Sequence, residues 1–367
     1  MKIFAFGSSI TSSYWNGAAT YYRGIYKQLH ARGHSITFAE PDAYGRLQHR
    51  DDGDFSFVET LVYRTADEIP VLLDEACDCD LVIKHSGVGV FDELLEERVL
   101  ECRSPTIRVA FWDVDAPATL ARVEGDVQDP FRPHIPQYDF IFTYGGGPPV
   151  VERYCRLGAG NCHPVYNALD PETHFPVTPD RTWKCDLLFV GHRLPDRESR
   201  VDEFFLRAAQ LAPEFQFVLG GEGWAGKTLP TNVRRIGHVG TRDHNLLNSS
   251  ARLVLNINRD SMARAGFSPP TRIFEAAGAG ACVISDQWTG IEDCFAPGRE
   301  ILVAGSAEEV VEHLRNCGPG DAAAIGGRMR QRALREHTYH LRARLFDTIV
   351  AQGVTMPSSP LATETMP

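Results

Sequence analysis

The sequence contains no apolar run approaching the roughly 20 residues that a membrane-crossing helix requires, so no integral membrane segment is expected. Its start, MKIFAFGSS, enters an apolar strand without a basic leader, which predicts a cytoplasmic protein. Positive charge is also in short supply. Lys and Arg total 37 against 48 Asp and Glu, a net charge of -11. That balance argues against binding a phosphate backbone or an anionic membrane, and nucleic acid is not expected as a partner. The nine cysteines lack paired zinc spacing, and the single C-x-C at Cys77 and Cys79 has no second half. Free thiols in a reducing compartment, with no metal centre, are the expectation. The G-x-G-x-x-G spacing is missing as well, since Gly7-Ser8-Ser9 stands alone, which excludes a dinucleotide fingerprint.

What is present points to a globular chain with two cores, because 367 residues with 43% hydrophobic and 23% charged exceed what a single core usually serves. KIFAFG (2–7) is an apolar run that ends in glycine. Ala19, Tyr22, Ile25, Tyr26 and Leu29 then follow one helical face, Gly33 is placed as the stop, and SITFAE reads as a second strand. LVIKHSG (81–87), IRVAFWDVD (107–115) and FIFTYGGG (140–147) repeat the pattern, which is that of a parallel α/β sheet. After a proline-rich connection (165–180), CDLLFVGHR (185–193), FQFVLGGEG (215–223), VRRIGHV (233–239), ARLVLNINRD (251–260) and ACVISD (281–286) form a second series. The expected organisation is one α/β domain over 1–167 and another over 168–338. A helix over 339–352 is expected to pack back on the first domain, followed by a disordered tail over 353–367. The acidic excess is uneven: residues 1–167 carry a net -9 and the remainder -2.

Ligands of open α/β sheets bind beyond the carboxyl ends of the strands, so the strand ends hold the candidates. The most informative stretch is GFSPPTRIFEAAGAGA (266–281). Ser268 is placed as an N-cap with Pro269 and Pro270 in the first turn, and the start of such a helix suits a diphosphate. Glu275 lies seven residues past Ser268, about 10 Å along the axis at 1.5 Å per residue, the reach from a pyrophosphate to a ribose. A carboxylate there accepts both ribose hydroxyl protons. The alternative is a solvated glutamate on a small-residue packing helix.

The string RIFEAAGAGACVISDQWTGIEDCFAPGREILVA resembles the nucleotide-binding region of glycosyltransferases of the GT-B architecture. The strings FWDVDAPATL, YDFIFTYGGGPPVVERY, YNALDP, GHRLPDRESRVDEFF and NRDSMARAGFSPPTRIFEAAGAGA make nearly the whole chain similar to the CgeB-like (spore maturation protein B-like) group within it. The resemblance implies an α/β fold of two facing Rossmann-like domains with a cleft between them. The N-terminal one would be the acceptor side, and the C-terminal one would hold a nucleoside-diphosphate sugar (UDP-, GDP- or dTDP-linked) as donor substrate, with no tightly bound cofactor. By resemblance Glu275 matches the ribose-binding glutamate. Arg193, behind Gly191, matches the basic position that contacts the diphosphate, with Arg197 a companion. Arg272, Ser268 and Thr271 belong to the phosphate-facing helix start, and His238 and Val239 stand where backbone reads the base.

The chemistry is consistent, because a leaving nucleoside diphosphate gains negative charge that arginines and a helix start stabilise without a metal. One departure is plain. Many retaining members carry a second glutamate eight positions earlier, and here that position is Phe267. Arg259 and Asp260 are the nearby charged groups available to diphosphate and sugar, or they form a structural pair. For a base that takes the acceptor's proton, the candidates are His85, Asp113 and Asp115 at first-domain strand ends, with Asp115 alternatively capping the next helix. Trp15, Trp112 and Tyr144 are candidates for stacking on a sugar. The leading expectation is metal-independent, hexosyltransferase-like transfer to a hydroxyl acceptor, whether glycan, small molecule or protein. A sugar-nucleotide epimerase and a non-catalytic sugar-nucleotide-binding protein are the alternatives.

Overall fold

The computed structural model describes residues 1–353, and the tail expected to be disordered lies outside them from residue 354 onward. The chain divides into two compact units, Met1–Val165 together with the segment from Ala343, and Tyr166–Arg342.

The first unit is built on seven parallel strands: β1 (Lys2–Phe6), β2 (Ser35–Pro41), β3 (Glu59–Tyr63), β4 (Leu81–His85), β5 (Arg108–Asp113), β6 (Phe140–Thr143) and β7 (Cys162–Pro164). Their order is β3-β2-β1-β4-β5-β6-β7. Helices cover both faces of such a sheet, which is why its strands are continuous apolar runs rather than alternating ones. Helix Ala19–Ala31 buries Tyr22, Ile25, Tyr26 and Leu29 as its spacing predicts, and it stops at Gly33, whose φ of 90° suits glycine. The final helix contributes Phe346, stacked on Trp112 of β5 at 5.4 Å.

The second unit has six parallel strands: β8 (Cys185–Val190), β9 (Phe217–Gly220), β10 (Val233–Arg235), β11 (Ala251–Asn256), β12 (Val283–Asp286) and β13 (Leu302–Ala304), in the order β10-β9-β8-β11-β12-β13. Strand order reverses direction between β1 and β4 in one sheet and between β8 and β11 in the other. Beyond the carboxyl ends at such a reversal the connections leave on opposite sides of the sheet and open a crevice.

Three expectations are corrected by the structure. The helix after Gly266 begins at Thr271, with Pro270 (φ -73°, ψ 151°) as its N-cap residue, instead of at Pro269 behind a Ser268 N-cap. A residue before proline is held extended, so Pro269, which precedes Pro270, is kept out of the first helical turn, and Ser268 caps no helix N–H but turns its hydroxyl to Gly266 O at 2.9 Å. Glu275 therefore sits about 6 Å into the helix. Among the cysteines, Cys77 and Cys102 are joined by a disulfide with Cα atoms 4.8 Å apart, while the other seven are free. The end of helix Ile69–Ala76 packs on the turn Val99–Cys102, a contact that spacing alone does not reveal.

Candidate functional site

Strand β8 delivers Gly191, His192 and Arg193 to the reversal point of the second sheet, and β11 delivers Ile257, Asn258 and Arg259 beside them. Gly191 is hemmed in. A Cβ there would stand 2.9 Å from the Phe189 ring, 3.0 Å from Arg197 Nη1 and 3.4 Å from Arg272 Nη2. Two guanidinium groups thus converge on one stretch of backbone that only glycine lets them approach.

Each arginine is carried there by a short helix. Pro195 starts helix Pro195–Val201, and Arg197 on it donates from Nη1 to His192 O at 3.4 Å. Arg272 lies in the first turn of helix Thr271–Gly278, its guanidinium 5.5 Å from the Phe189 ring centre and its Nη1 donating to Asn256 Oδ1 at 2.9 Å. Asn256 is fixed in turn by Ser285 Oγ at 3.0 Å. The nearby acids are already engaged: Asp286 accepts from Arg200 at 2.8 Å and from Asn258 N at 2.9 Å, and Asp196 accepts from Arg259 at 3.1 Å. Arg197 has no ion pair among the described residues, and its Nε is buried without a partner. Burial, and then repulsion from Arg272 and Arg259, push its pKa down to about 9. Burial lowers that of Arg272 also. Two guanidinium groups this close, with Asp286 and Asp196 engaged by other arginines and Glu275 beside His244, leave positive charge that an anion would stabilise.

One turn further into the Arg272 helix, Glu275 is buried with its Oε2 3.5 Å from His244 Nδ1. Burial alone would raise its pKa, but His244, His174 and Arg272 outweigh that and bring it to about 2, so the carboxylate is ionised throughout the physiological range. Val190, His244, Asn248, Val254, Arg272 and Glu275 line one small hollow. His174, His244 and Glu275 offer ligand atoms within 4.8 Å of one another, so this trio is the set that could hold a metal ion. A larger hollow touches the starts of β8, β11 and β12 through Cys185, Ala251 and Cys282, at the opposite end of the strands from Arg197.

The other predicted residues divide clearly. Arg193 is not part of the converging pair: its Nη2 donates to Glu198 at 2.6 Å, and Lys227 shares that carboxylate at 2.7 Å. Arg259 and Asp260 do not pair with each other, since Arg259 holds Asp196 and Asp260 is engaged by Arg264 and, at 3.6 Å, by Arg200. Thr271 opens its helix and is half-buried. His238 is exposed just past β10, and Val239 packs beside Gly220.

In the first unit, His85 is fully buried, its Nε2 2.6 Å from the Tyr26 hydroxyl, and burial drives its pKa down to about 3. Asp113 is fully buried as well and accepts from Ser86 at 2.7 Å, Tyr154 at 2.5 Å, Thr119 at 3.0 Å and the Asp115 amide at 2.9 Å. Neither side chain reaches a surface from which it could take an acceptor's proton, so both are assigned to the core. Asp115 stays half-buried at the start of helix Ala116–Gly125, without a side-chain capping bond. Trp112 and Tyr144 pack against Tyr21, whereas Trp15 is 52% exposed.

Sequence reasoning missed His174, His244, Asn248 and Asn258. The i, i+4 spacing of His244 and Asn248 on helix Thr241–Ser250 is a signal for one shared face, while His174 sits in the aperiodic connection and leaves none. Asn258 is 2% exposed, and neither atom of its amide has a partner.

Residues 197–348 match the family model described as glycosyl transferase-like. No curated protein matches the sequence. Among solved structures the chain is similar to Anabaena Alr3699/HepE in complex with UDP and glucose (TM-score 0.68, 12% identity, 96% of this chain and 100% of that one). It is also similar to sucrose-phosphate synthase from Thermosynechococcus elongatus (0.67, 13%, 96% and 99%). A third likeness is to an alpha-glucosyltransferase in complex with UDP-glucose and DNA containing an abasic site (0.65, 16%, 95% and 98%). Two parallel Rossmann-like sheets and these neighbours give the chain the GT-B fold.

Proposed function

We propose that this GT-B chain, glycosyl transferase-like over its second unit, transfers a hexose-type sugar from a nucleoside-diphosphate donor to a hydroxyl acceptor without a metal. The observation that carries the proposal is the convergence of Arg197 and Arg272 on Gly191, one helical turn from an ionised, buried Glu275. In this reading the diphosphate supplies the ion pair that Arg197 lacks and is shared by Arg272, and the first N–H groups of helix Thr271–Gly278 add to its binding. Glu275 accepts hydrogen bonds from the ribose hydroxyls, with His244 holding it in place. Backbone around His238 and Val239 meets the base.

As the glycosidic bond breaks, negative charge grows on the diphosphate, so the same arginines favour the transition state over the bound donor. That makes a divalent cation unnecessary. UDP is the first nucleotide to test, because HepE and the alpha-glucosyltransferase hold UDP or UDP-glucose. CgeB-like membership remains part of this proposal, carried by the sequence strings. No described helix is long and apolar enough to cross a membrane.

Thermal shift against UDP, GDP, ADP, CDP and dTDP tests the donor site. A rise in Tm with at least one, abolished by Glu275→Ala, is expected. A flat response to all five would remove the transferase reading.

A further inference from the structure

Four non-glycine residues among those described adopt positive φ, and all four are aromatic: Trp15 (49°), Tyr44 (58°), Phe91 (57°) and Phe267 (46°). For bulky side chains this conformation is costly and persists only where surrounding structure imposes it. Trp15 and Tyr44 are also 52% and 58% exposed, with Tyr14 beside them at 36%. Strain and exposure of large rings together are the opposite of what folding alone selects.

These rings share one place in the fold. Trp15 and Tyr14 lie in the loop after β1, Tyr44 in the loop after β2, and Gly89, which supports Tyr44, in the loop after β4. The strand order of the first sheet reverses between β1 and β4, so the rings stand at its crevice. Each is braced. The Tyr44 hydroxyl donates to Gly89 O at 2.6 Å, and its ring edge occupies the space a Cβ on Gly89 would fill, 2.8 Å away. The buried Arg46 guanidinium lies 5.0 Å from the centre of the Tyr44 ring. Tyr14 stacks on His49 at 3.9 Å and 9°, and His49 Nδ1 is 2.8 Å from Gly45 O, which ties the two loops into one surface.

We propose that Tyr14, Trp15 and Tyr44 form a stacking shelf that binds a neutral pyranoside, the acceptor class for this unit. The inference rests on the transferase reading for the word acceptor, while the shelf itself is argued from the first unit alone. Aromatic faces pack against the C–H faces of a pyranose ring, and polar groups around them meet its hydroxyls. Charge selects among the ligands that stack on aromatics. Asp52 and Asp54 stand exposed in the adjoining loop, and the Asp51 carboxylate, held by Arg23 and Ser13, has its pKa lowered. With Asp51 paired to Arg23, Asp52 and Asp54 set against the exposed Arg50, and Arg46 buried 5.0 Å from the Tyr44 ring, the border carries no excess of positive charge, and single-stranded nucleic acid, acidic glycans and anionic lipid need such an excess beside the rings.

The test is titration of the full chain with maltotriose, cellotriose, chitotriose and mannotriose, read by tryptophan fluorescence and by calorimetry, with UDP binding measured in parallel. At least one neutral trisaccharide should bind, Trp15→Ala and Tyr44→Ala should each weaken it at least fivefold, and Trp15→Phe should retain it. UDP affinity should stay within twofold in all three variants. UDP binding without any trisaccharide binding overturns the shelf and leaves the donor reading standing. Binding to Trp15→Ala equal to that of the parent, or preference for a heparin tetrasaccharide or phosphatidylserine vesicles, also overturns it.

Discussion

Replacing Arg197 with methionine separates a ligand-binding role from a structural one, because the two predict effects of opposite sign. Arg197 makes one long hydrogen bond, 3.4 Å to His192 O, and has a buried Nε without a partner. Its pKa of about 9, far below the ordinary 12.5, means that the folded protein disfavours the charged form. At neutral pH that charge therefore subtracts from stability, and Met, which keeps much of the stem's packing, removes the cost. The ligand-free variant should melt no lower than the parent, and an increase of about 2–4 °C would correspond to about 1 kcal/mol. Nucleotide binding should move the other way. Hydrogen bonds to charged groups contribute about 1.5–3 kcal/mol, so the loss of one arginine should weaken UDP by about 10- to 150-fold. Differential scanning fluorimetry gives the first quantity and calorimetric titration the second. A variant that melts several degrees lower yet binds nucleotide as before would refute the assignment of Arg197 to a diphosphate.

Glu275, with a pKa near 2 against an ordinary 4.5, contributes stability that is present above about pH 4.5 and is lost as pH falls toward 2, so acid unfolding followed by circular dichroism should shift to higher pH in Glu275→Gln only if this carboxylate is paired as described. Since His244 helps to depress that pKa, nucleotide affinity should fall more steeply in His244→Ala than in the parent as pH drops from 7 to 5, as measured by titration at each pH. Asp113→Ala leaves a set of buried donors unpaired, and a loss of several kcal/mol is expected in urea unfolding; unchanged stability with lost turnover would restore it as a base. Reducing the Cys77–Cys102 disulfide, whose partners are 25 residues apart, should cost about 3 kcal/mol of first-unit stability on loop-entropy grounds. EDTA should leave transfer from a UDP-sugar unchanged.

Much of this fold was legible because parallel strands buried on both faces are continuous apolar runs that end abruptly, as KIFAFG and CDLLFVG do. Strands β3, β7 and β13 went unread for physical reasons: β7 and β13 have only three residues each, and ETLVY of β3 is a half-buried edge strand paired on one side. Glu275 was visible through its helix motif. Which arginine accompanies it was not, because Arg193 and Arg197 both follow β8 and only tertiary structure shows that Glu198 and Lys227 occupy the neighbourhood of the first. His85 and Asp113 illustrate the same limit in reverse. A polar residue at the end of a buried strand looks like a catalytic group until its surroundings are seen, and here Ser86, Thr119 and Tyr154 engage Asp113 inside the core, while His85 is buried with Tyr26 on its Nε2 and no partner on its Nδ1 among the described residues. The shelf residues carried no sequence signal beyond their aromaticity, since the positive φ at Trp15 and Tyr44, the stacking of Tyr14 on His49 and the Tyr44–Gly89 hydrogen bond exist only in the folded loops.

A nucleoside diphosphate held in the second unit between Arg197, Arg272 and Glu275 is what the proposed function requires. Calorimetric titration of the full chain with UDP, GDP and dTDP, repeated on Glu275→Ala, tests it most directly. A single site is expected for at least one nucleotide in the parent, with none detectable in the folded variant. Binding that survives Glu275→Ala undiminished, or no binding of any of the three to the parent, would contradict it.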